Sequence, residues 1–310
     1  MGNIITSAYD GDPITVDSLI KDPKWIAERT IQNLDGAFLE DLLFRNAGSN
    51  DSGVAAFREA ASPFLADDAE VVAEFGEIPV SGLNLGKVRT VIGQKVAMGI
   101  RVSYEQRHEN RLDMVSKQQT ALQNTMIRSG VRASLAAFAA AETPTAAATA
   151  AWSGGAGDPA KDVLDAIEQI QAAKPDNAKD DEVFGYNPNT LVLAPVTLTA
   201  LLRNEQVQKF YVGDNAAENP LYTGVHPKTI FGLTVATSRF MDPTKAIVLE
   251  SGVAGFRSDT IPLQMTPLYQ EGGESGMGGP MMSWRSDAVR KRIIAVDEPK
   301  SVLTITGVTA

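Results

Sequence analysis

The sequence contains no cysteine and only two histidines among its 310 residues. The lack of cysteine excludes disulfides, thiolate nucleophiles and cysteine-ligated zinc. His108 lies in a stretch with helical periodicity and His226 precedes a proline, and no motif connects either one to a nucleophile or to a second ligand. We therefore interpret both histidines as packing or surface residues and not as catalytic groups.

Motifs for catalysis and phosphate binding are missing as well. GLNLGKV, which begins at Gly82, has too few residues between its glycines and no Ser or Thr after its lysine, so it is not a phosphate-binding loop. GGESGMGG, which contains Ser275, lacks the G-x-S-x-G order of a nucleophile elbow. The acidic clusters at 67–68 and 180–182 lack the spacing of a calcium loop and are interpreted as solvated turns. We expect no catalytic residue, no cofactor site and no metal site.

Basic residues are outnumbered, with 28 Lys and Arg against 38 Asp and Glu and a net charge of −10. Proteins that read DNA through its phosphates usually carry the opposite sign. We therefore expect no sequence-specific DNA binding, although a protein that encloses DNA without gripping it is compatible with this charge. No apolar run approaches the ~20 residues that span a bilayer, and the N-terminus does not have the order of a signal peptide. We expect a soluble protein without membrane contacts.

A run of alternating apolar residues extends from Val88 to Val102. Basic residues occupy positions between the apolar ones, which is the period of a half-buried strand. The apolar positions are Val88, Ile92, Val96, Met98, Ile100 and Val102. The strand-like segment AEVVAEFGEIPV at 69–80 and the turn residues of SGLNLGK precede this run, so the sequence predicts a long hairpin over 69–102. An isolated hairpin is only marginally stable, and this one should therefore lie on another surface.

A long helix follows the strand with no proline or loop signal at the junction. Apolar residues recur at helical spacing from Tyr104 to Phe138, and no proline occurs between Pro79 and Pro144. Gly130 is the one glycine within this stretch and marks the expected place of a bend. From 102 to 141 the helix would be about 60 Å long at about 1.5 Å per residue.

The rest of the chain predicts a compact α+β unit with extended strands after it. The connector AAAETPTAAATAAWSGG is of low complexity and indicates a domain boundary. A helix should begin after Asp158 with Pro159 in its first turn, followed by the strand TLVLAP and the helix VTLTALLRNEQVQKFY. Two short strands flank the turn at Asp242 and Pro243, and a glycine-rich tip separates two later extended runs. The final strand at 301–307 should return to the α+β unit.

This order of elements resembles the major capsid protein of tailed bacteriophages, which has the HK97-type fold. The resemblance is carried by VIGQKVAMGIRVSYEQ, by TIFGLTVATSRFMD and by NTLVLAPVTLTALL, and above all by their order. It implies an α+β HK97-type capsid fold with an N-terminal arm, a long hairpin called the E-loop, a peripheral domain with a spine helix, and an axial domain. The implied ranges are the arm at 1–35, short joining helices at 36–68, the E-loop at 69–102, the spine helix at 103–141, the axial domain at 142–259, peripheral strands and loop at 260–292, and a return strand at 293–310.

The function implied by the resemblance is that of a virion shell. Subunits of this family form hexamers and pentamers of an icosahedral capsid that encloses double-stranded DNA, and they assemble in the cytoplasm of the host bacterium. The implied partners are further copies of the chain, a portal and possibly a decoration protein. The removable N-terminal scaffolding segment of the family is not found, so either a separate scaffolding protein exists or the precursor was trimmed, and we expect the separate scaffolding protein. No cofactor is implied.

The resemblance also names contact residues between subunits. In the E-loop these are Gly82, Asn84, Lys87, Arg89, Ile92, Lys95, Val96 and Ile100, and in the peripheral strands they are Arg285, Arg290 and Arg292, for which we expect salt bridges between subunits. Some relatives join an E-loop lysine to an asparagine through an isopeptide bond. Lys87 or Lys95 could supply the amine here, but no asparagine follows Asn219. We therefore expect a non-covalent shell that releases monomers of 33.1 kDa on boiling in SDS.

Two other interpretations stay open at this point. Encapsulins share the fold but enclose cargo enzymes, and neighbouring genes would separate them from phage capsids. A soluble α+β enzyme would form a small oligomer and would leave the long hairpin unexplained. Electron microscopy of the purified protein would distinguish a shell from such an oligomer.

Overall fold

The computed structural model describes residues 15–34, 36–154, 156–176, 179, 182–211 and 229–309. The chain divides into two compact units. The first unit comprises Met1–Phe38, Gly93–Ser129 and Asp259–Arg292, and the second comprises Leu39–Ile92, Gly130–Ser258 and Ile293–Ala310. The assignment of segments to peripheral and axial domains stays a prediction.

The described residues form eight α-helices, thirteen strands and one 3-10 turn. The helices are α1 (Val16–Lys21), α2 (Trp25–Leu34), α3 (Leu39–Leu43), α4 (Tyr104–His108), α5 (Leu112–Ala140), α6 (Pro159–Gln171), α7 (Pro195–Arg203) and α8 (Glu205–Tyr211), and the 3-10 turn is Pro299–Ser301. The strands are β1 (Arg45–Ser49), β2 (Val54–Arg58), β3 (Val88–Ile92), β4 (Gln94–Ser103), β5 (Thr145–Ala147), β6 (Thr190–Leu193), β7 (Thr229–Ile230), β8 (Leu233–Thr237), β9 (Lys245–Leu249), β10 (Phe256–Met265), β11 (Tyr269–Gln270), β12 (Ser283–Ala295) and β13 (Val302–Thr306). Among the residues described, no helix is both long and apolar enough to cross a membrane.

The strands build three sheets. One has the order β1-β10-β12-β11, with β4 also paired to β12, and another has the order β5-β13-β9-β6-β8-β7. The third is the two-stranded ribbon of β2 and β3. The mixture of helices and sheets confirms the predicted α+β class.

The first unit has its core between helices and one face of the β4–β12 pair. β4 runs antiparallel to β12 from Ser103 opposite Ser283 to Gln94 opposite Arg292. Side chains of β4, α1, α2 and α5 share this core: Val16, Leu19, Ile26, Leu34, Ile100, Val102, Val115, Leu122 and Met126 are all buried in it. The segment 1–35 was predicted as an arm, and its residues 15–34 instead form two packed helices. Residues 1–14 of that prediction lie outside the described residues.

The strand-to-helix junction is the best-specified local feature of the first unit. Ser103 Oγ accepts the N–H of Gln106, and Gln106 Oε1 accepts the N–H of Ser103, both at 3.2 Å. This capping box starts a helix directly after a strand, because it satisfies two N–H groups that would otherwise lack partners. The absence of a turn between strand and helix was predicted and is confirmed.

The long helix is interrupted once, which the sequence prediction missed. α4 ends at His108 and α5 begins at Leu112, with Asn110 at a φ of +50° between them. Asparagine occupies this left-handed region more readily than most residues, and Asn110 Oδ1 accepts the N–H of Val16 at 2.9 Å. α5 then continues without a break to Ala140. The prediction of one helix from 103 to 141 is therefore wrong at 109–111.

The second unit is built on the six-stranded sheet. β6 lies parallel to β8 and antiparallel to β9, and β13 pairs antiparallel with β9. α6 begins as predicted, since Asp158 accepts the N–H of Lys161 at 3.1 Å and Pro159 is the first helical residue. The return of the final strand to this sheet is also confirmed. The helix predicted over 196–211 is instead two helices, α7 and α8, separated at Asn204.

The low-complexity connector is part of the second unit's fold. β5 pairs in parallel with β13, and the indole of Trp152 is fully buried. Asp162 accepts hydrogen bonds from Trp152 Nε1 at 2.8 Å and from Thr149 N at 3.0 Å. The carboxylate of Asp162 therefore holds the predicted connector against the core of the second unit through these hydrogen bonds.

Candidate inter-subunit surface

β2 and β3 form an antiparallel ribbon in the second unit, with Val54 opposite Ile92 and Arg58 opposite Val88. The prediction that the partner of this strand lies in 69–80 is wrong, because that segment contains no strand and Val54–Arg58 supplies the pairing. Successive side chains of a strand point to opposite faces. The ribbon therefore has two faces of different character.

The inner face of the ribbon is fixed to its own chain. Phe57 packs edge-on against Phe256 with ring centroids 5.4 Å apart. Arg89 forms an ion pair with Glu59, and its guanidinium donates to the carbonyl oxygen of Ala140 at 3.1 Å. Arg89 has these partners within its own chain, and the predicted contact of Arg89 with another subunit stays a prediction.

The outer face of the ribbon is exposed and mostly apolar. It carries Val54, Ala56, Val88 and Ile92, together with Thr90 and with Arg58 at the end where Arg58 lies opposite Val88. Ile92 is 69% exposed although it lies in a regular strand. Large exposed apolar patches on a folded chain indicate a surface that another molecule covers.

The predicted continuous face of Ile92, Val96 and Ile100 is divided at Gly93. β3 ends at Ile92 in the second unit, and β4 begins at Gln94 in the first. Ile100 is only 6% exposed and belongs to the first unit's core, with Val96 packed at the edge of that core. Only Ile92 of these three is open to a partner. The single 15-residue strand predicted from alternation is two strands with different partners.

Residues 59–87 form an irregular loop between the two strands of the ribbon, which we call the ribbon loop. Its base is closed by a hydrogen bond from the N–H of Glu59 to the carbonyl oxygen of Lys87 at 3.0 Å. Further out, Leu65 and Leu83 form a bridge, and Asp67 N donates to Ser81 Oγ at 2.9 Å. Large apolar side chains along the loop are exposed: Phe64, Leu65, Val71, Phe75, Ile78, Val80, Leu83 and Leu85.

The remaining predicted E-loop residues lie on exposed surface. Gly82, Asn84 and Lys87 belong to the ribbon loop, and Lys95 lies on the exposed face of β4 in the first unit. The ammonium of Lys87 contributes to a lowered pKa of Asp176, after the larger effect of a hydrogen bond from Lys300. Their exposure is compatible with contacts to another molecule, and such contacts stay a prediction.

The basic residues of β12 are held within their own chain. Arg290 is buried, its Nε donates to Asp259 at 2.9 Å, and its guanidinium lies 4.8 Å from the ring centroid of Phe38. Arg292 is buried above the same ring. The alternation that placed both on one face is correct. Both arginines have partners within their own chain, and salt bridges between subunits stay a prediction for them. Arg285 is half-exposed and pairs with Asp287 at 2.7 Å.

Strand β2 and the pairing of the ribbon were not found by sequence reasoning. VAAFR is too short and too rich in alanine for a clear period-two signal, and it follows the turn-forming NDSG. His226, Asp180 and Asp181, on which predictions were made, lie outside the described residues. Among the described residues, no group of three or more His, Asp or Glu could hold a metal ion.

The net charge is divided unevenly between the units. Acidic and basic residues are equal in number over the sequence of the first unit, so the second unit carries the whole net charge of −10. The ribbon loop contributes strongly to it, since no Lys or Arg occurs between Arg58 and Lys87.

Solved structures similar in fold to this chain include a virus-like particle and chains from phages. A virus-like particle from Pyrococcus furiosus matches with a TM-score of 0.56 at 11% identity, over 91% of this chain and 98% of that one. A chain of Gordonia phage Cozz matches with a TM-score of 0.57 at 14% identity, over 97% and 90% of the two chains, and a chain of Mycobacterium phage Bobi matches with 0.53 at 13%, over 98% and 93%. At such identities the likeness establishes the fold, which is the HK97-type capsid fold. Comparison with curated proteins gave no match.

The family follows from the sequence of the chain itself. Residues 87–304 match the family described as phage capsid protein. The chain belongs to the phage capsid protein family. This membership confirms the prediction of a major capsid protein, a structural component of a phage virion, and it does not favour the encapsulin alternative.

Proposed function

We propose that this capsid protein closes its shell by laying the outer face of the β2–β3 ribbon and the ribbon loop on a neighbouring copy. The shell is an icosahedral lattice of hexamers and pentamers around double-stranded DNA. The observation that carries the proposal is the exposed apolar face of a regular, internally anchored ribbon. A monomer gains nothing from exposing Ile92, Val88 and Val54 together, whereas a second copy that covers them removes apolar area from water.

Three features support this use of the ribbon. Its inner face is held by Phe57 and Arg89, so the outer face is presented in a fixed orientation and little ordering entropy is lost on contact. The ribbon loop adds exposed apolar side chains on the same connection. The same contact repeated in every copy of a symmetric shell multiplies a modest pairwise free energy.

The remaining partners belong to this proposal as expectations. A portal, a separate scaffolding protein and a possible decoration protein would complete the particle, which would assemble in the cytoplasm of a bacterial host. The acidic second unit is compatible with a wall to which DNA does not adhere, because like charges repel at short range.

Ile92→Asp tests the proposal directly. The substitution places a carboxylate at the Val54–Ile92 end of the outer face. We expect particle yield to fall by at least about tenfold, since a charge buried at an interface without a partner is costly. The free chain should keep its stability to within about 0.5 kcal/mol, because the side chain is exposed there. Electron microscopy and sedimentation of the purified protein measure assembly, and urea unfolding measures stability.

Two matched variants make the result specific. Ile92→Val keeps an apolar side chain and should assemble normally. Ile100→Asp has the same change in chemistry eight positions later, but inside the first unit's core, and should unfold that unit at a cost of about 3 kcal/mol or more. Normal particles from Ile92→Asp would refute the proposed docking.

A further inference from the structure

The exposed face of the β4–β12 pair carries two places where like charges lie directly opposite each other. Arg101 is opposite Arg285, and Lys95 is opposite Lys291. Such cross-strand pairs have Cβ atoms about 5 Å apart and destabilise a sheet unless a counter-charge is present.

The arginine pair is neutralised within the chain. Glu271 accepts from Arg101 at 2.7 Å and lies 3.6 Å from Arg285, and Asp287 accepts from Arg285 at 2.7 Å. The hydrogen bond from Arg101 holds the pKa of Glu271 below its ordinary value. Gly99 leaves room for this network, because a Cβ there would lie 2.1 Å from Asp287 Oδ1.

The lysine pair has no such counter-charge. Across residues 15–309, apart from the undescribed positions within that span, neither Lys95 nor Lys291 forms an ion pair or a side-chain hydrogen bond. Lys95 is exposed and Lys291 is half-exposed. The β4–β12 pair therefore contains one compensated and one uncompensated pair of positive charges.

The ribbon loop has an excess of negative charge. It carries six carboxylates and no base between Arg58 and Lys87. Glu59 is paired with Arg89, Asp68 with Lys179 at 2.8 Å, and Asp67 accepts from Ser81. Glu70, Glu74 and Glu77 are exposed and have no ion pair in the part of the chain that the structure describes.

We propose that the Lys95–Lys291 pair is the receiving site for the carboxylates of the ribbon loop of a second copy. The two surfaces fit in charge, and the apolar residues Val71, Phe75 and Ile78 between the glutamates would cover Ala97 and Val289, which lie opposite each other beside the lysines. The inference rests on the proposed function, because it names the surface on which the ribbon loop docks. Unlike charges at this contact select the correct register between copies, and like charges exclude other arrangements.

Charge reversal with reciprocal rescue tests the proposal on the full-length protein. Lys95→Glu with Lys291→Glu, and separately Glu74→Lys with Glu77→Lys, should each reduce particle yield by about tenfold. A chain with all four substitutions should recover most of the wild-type yield, since the pairing is restored with its signs exchanged. Lys117→Glu is the control for charge alone, because Lys117 is exposed on α5 of the first unit and pairs only weakly with Asp113 at 3.8 Å.

The outcomes separate this proposal from the proposed function. Rescue in the quadruple variant supports the pairing. If the lysine variants lose assembly and the glutamate variants do not, the lysines bind another anion, such as the phosphates of DNA, and the proposal is overturned. If neither pair of substitutions changes the yield while Ile92→Asp still abolishes particles, the docking of the ribbon stands and this receiving site is wrong.

Discussion

Two regions of the second unit differ in how far their apolar side chains are exposed. In the six-stranded sheet, every residue of β6 is buried, and Leu191 and Leu193 have no exposed surface. In the ribbon loop, Phe75 is 98% exposed, and glutamates are interspersed among the apolar residues around it. The sheet buries its apolar residues within one chain, whereas we expect another copy to cover the ribbon and its loop.

This contrast indicates that one region stabilises the folded chain and that the other is available for contacts between copies. The sheet buries its apolar side chains between helices and neighbouring strands, so it folds without a partner. The ribbon is held only on its inner face, and under the proposed docking its outer apolar surface contributes free energy when copies meet. Variants in the two regions should therefore separate folding from assembly.

The largest effect is expected from Leu191→Ala in β6. Removing a fully buried leucine leaves a cavity, and we expect the free energy of unfolding to fall by about 2–5 kcal/mol. Leu83→Ala in the ribbon loop is the matched change at an exposed site and should cost less than about 0.5 kcal/mol. Urea unfolding of both free chains measures the contrast, and equal losses would mean that the two regions are not different in kind.

Gly86→Ala should have an intermediate effect at the base of the ribbon loop. A Cβ at Gly86 would lie 1.9 Å from the backbone oxygen of Glu59. The two chain segments at the base of the loop must therefore move apart. We expect a loss of about 1–3 kcal/mol in ribbon stability and a fall in particle yield, while the six-stranded sheet keeps its protection from hydrogen exchange.

Gly82→Ala is the control for this change. Gly82 lies in the same loop, and a Cβ there meets no atom within 4 Å. It should assemble as wild type does. A defect of equal size in both variants would show that flexibility of the loop, and not its closed base, is what assembly requires.

The smallest effect concerns the pH dependence of the sheet region. Burial raises the pKa of Glu298 above its ordinary value of 4.5, although a hydrogen bond from Tyr186 opposes this shift. A carboxyl with a raised pKa in the folded state retains its proton more readily there than when unfolded, so this group's contribution to stability falls as pH rises above 4.5 and becomes constant above the raised pKa. Glu298→Gln should remove that slope.

Urea unfolding at a series of pH values checks this expectation. The difference in unfolding free energy between wild type and Glu298→Gln should shift in favour of the variant as pH rises from acid to neutral. A pH-independent difference for Glu298→Gln would contradict the direction given for its pKa.

Local signals in the sequence were sufficient for the elements that carry their own caps and periods. The Asp158–Pro159 start of α6 satisfies its first N–H groups with neighbouring residues, so it is visible in the sequence. The alternation of β4 was likewise recognisable, since Ile100 and Val102 face a core inside their own unit. The family resemblance then supplied the order of these elements as a whole.

Long-range pairing explains most of what the sequence did not reveal. Val88–Ile92 pairs with residues thirty or more positions earlier, and its alternation continues into β4 without marking the change of partner at Gly93. The burial of Arg290 depends on Asp259 and Phe38, which lie far away in the sequence. A basic residue on a strand looks the same in the sequence whether its partner is in the same chain or in another.

Hydrogen exchange of the ribbon loop before and after assembly measures whether another copy covers this loop. The account predicts that amides within 59–87 exchange rapidly in the free chain and are slowed in the particle, while amides of β6, β9 and β13 are equally protected in both. Exchange in 59–87 that stays as fast in the particle as in the free chain would contradict the claim that another copy covers this surface.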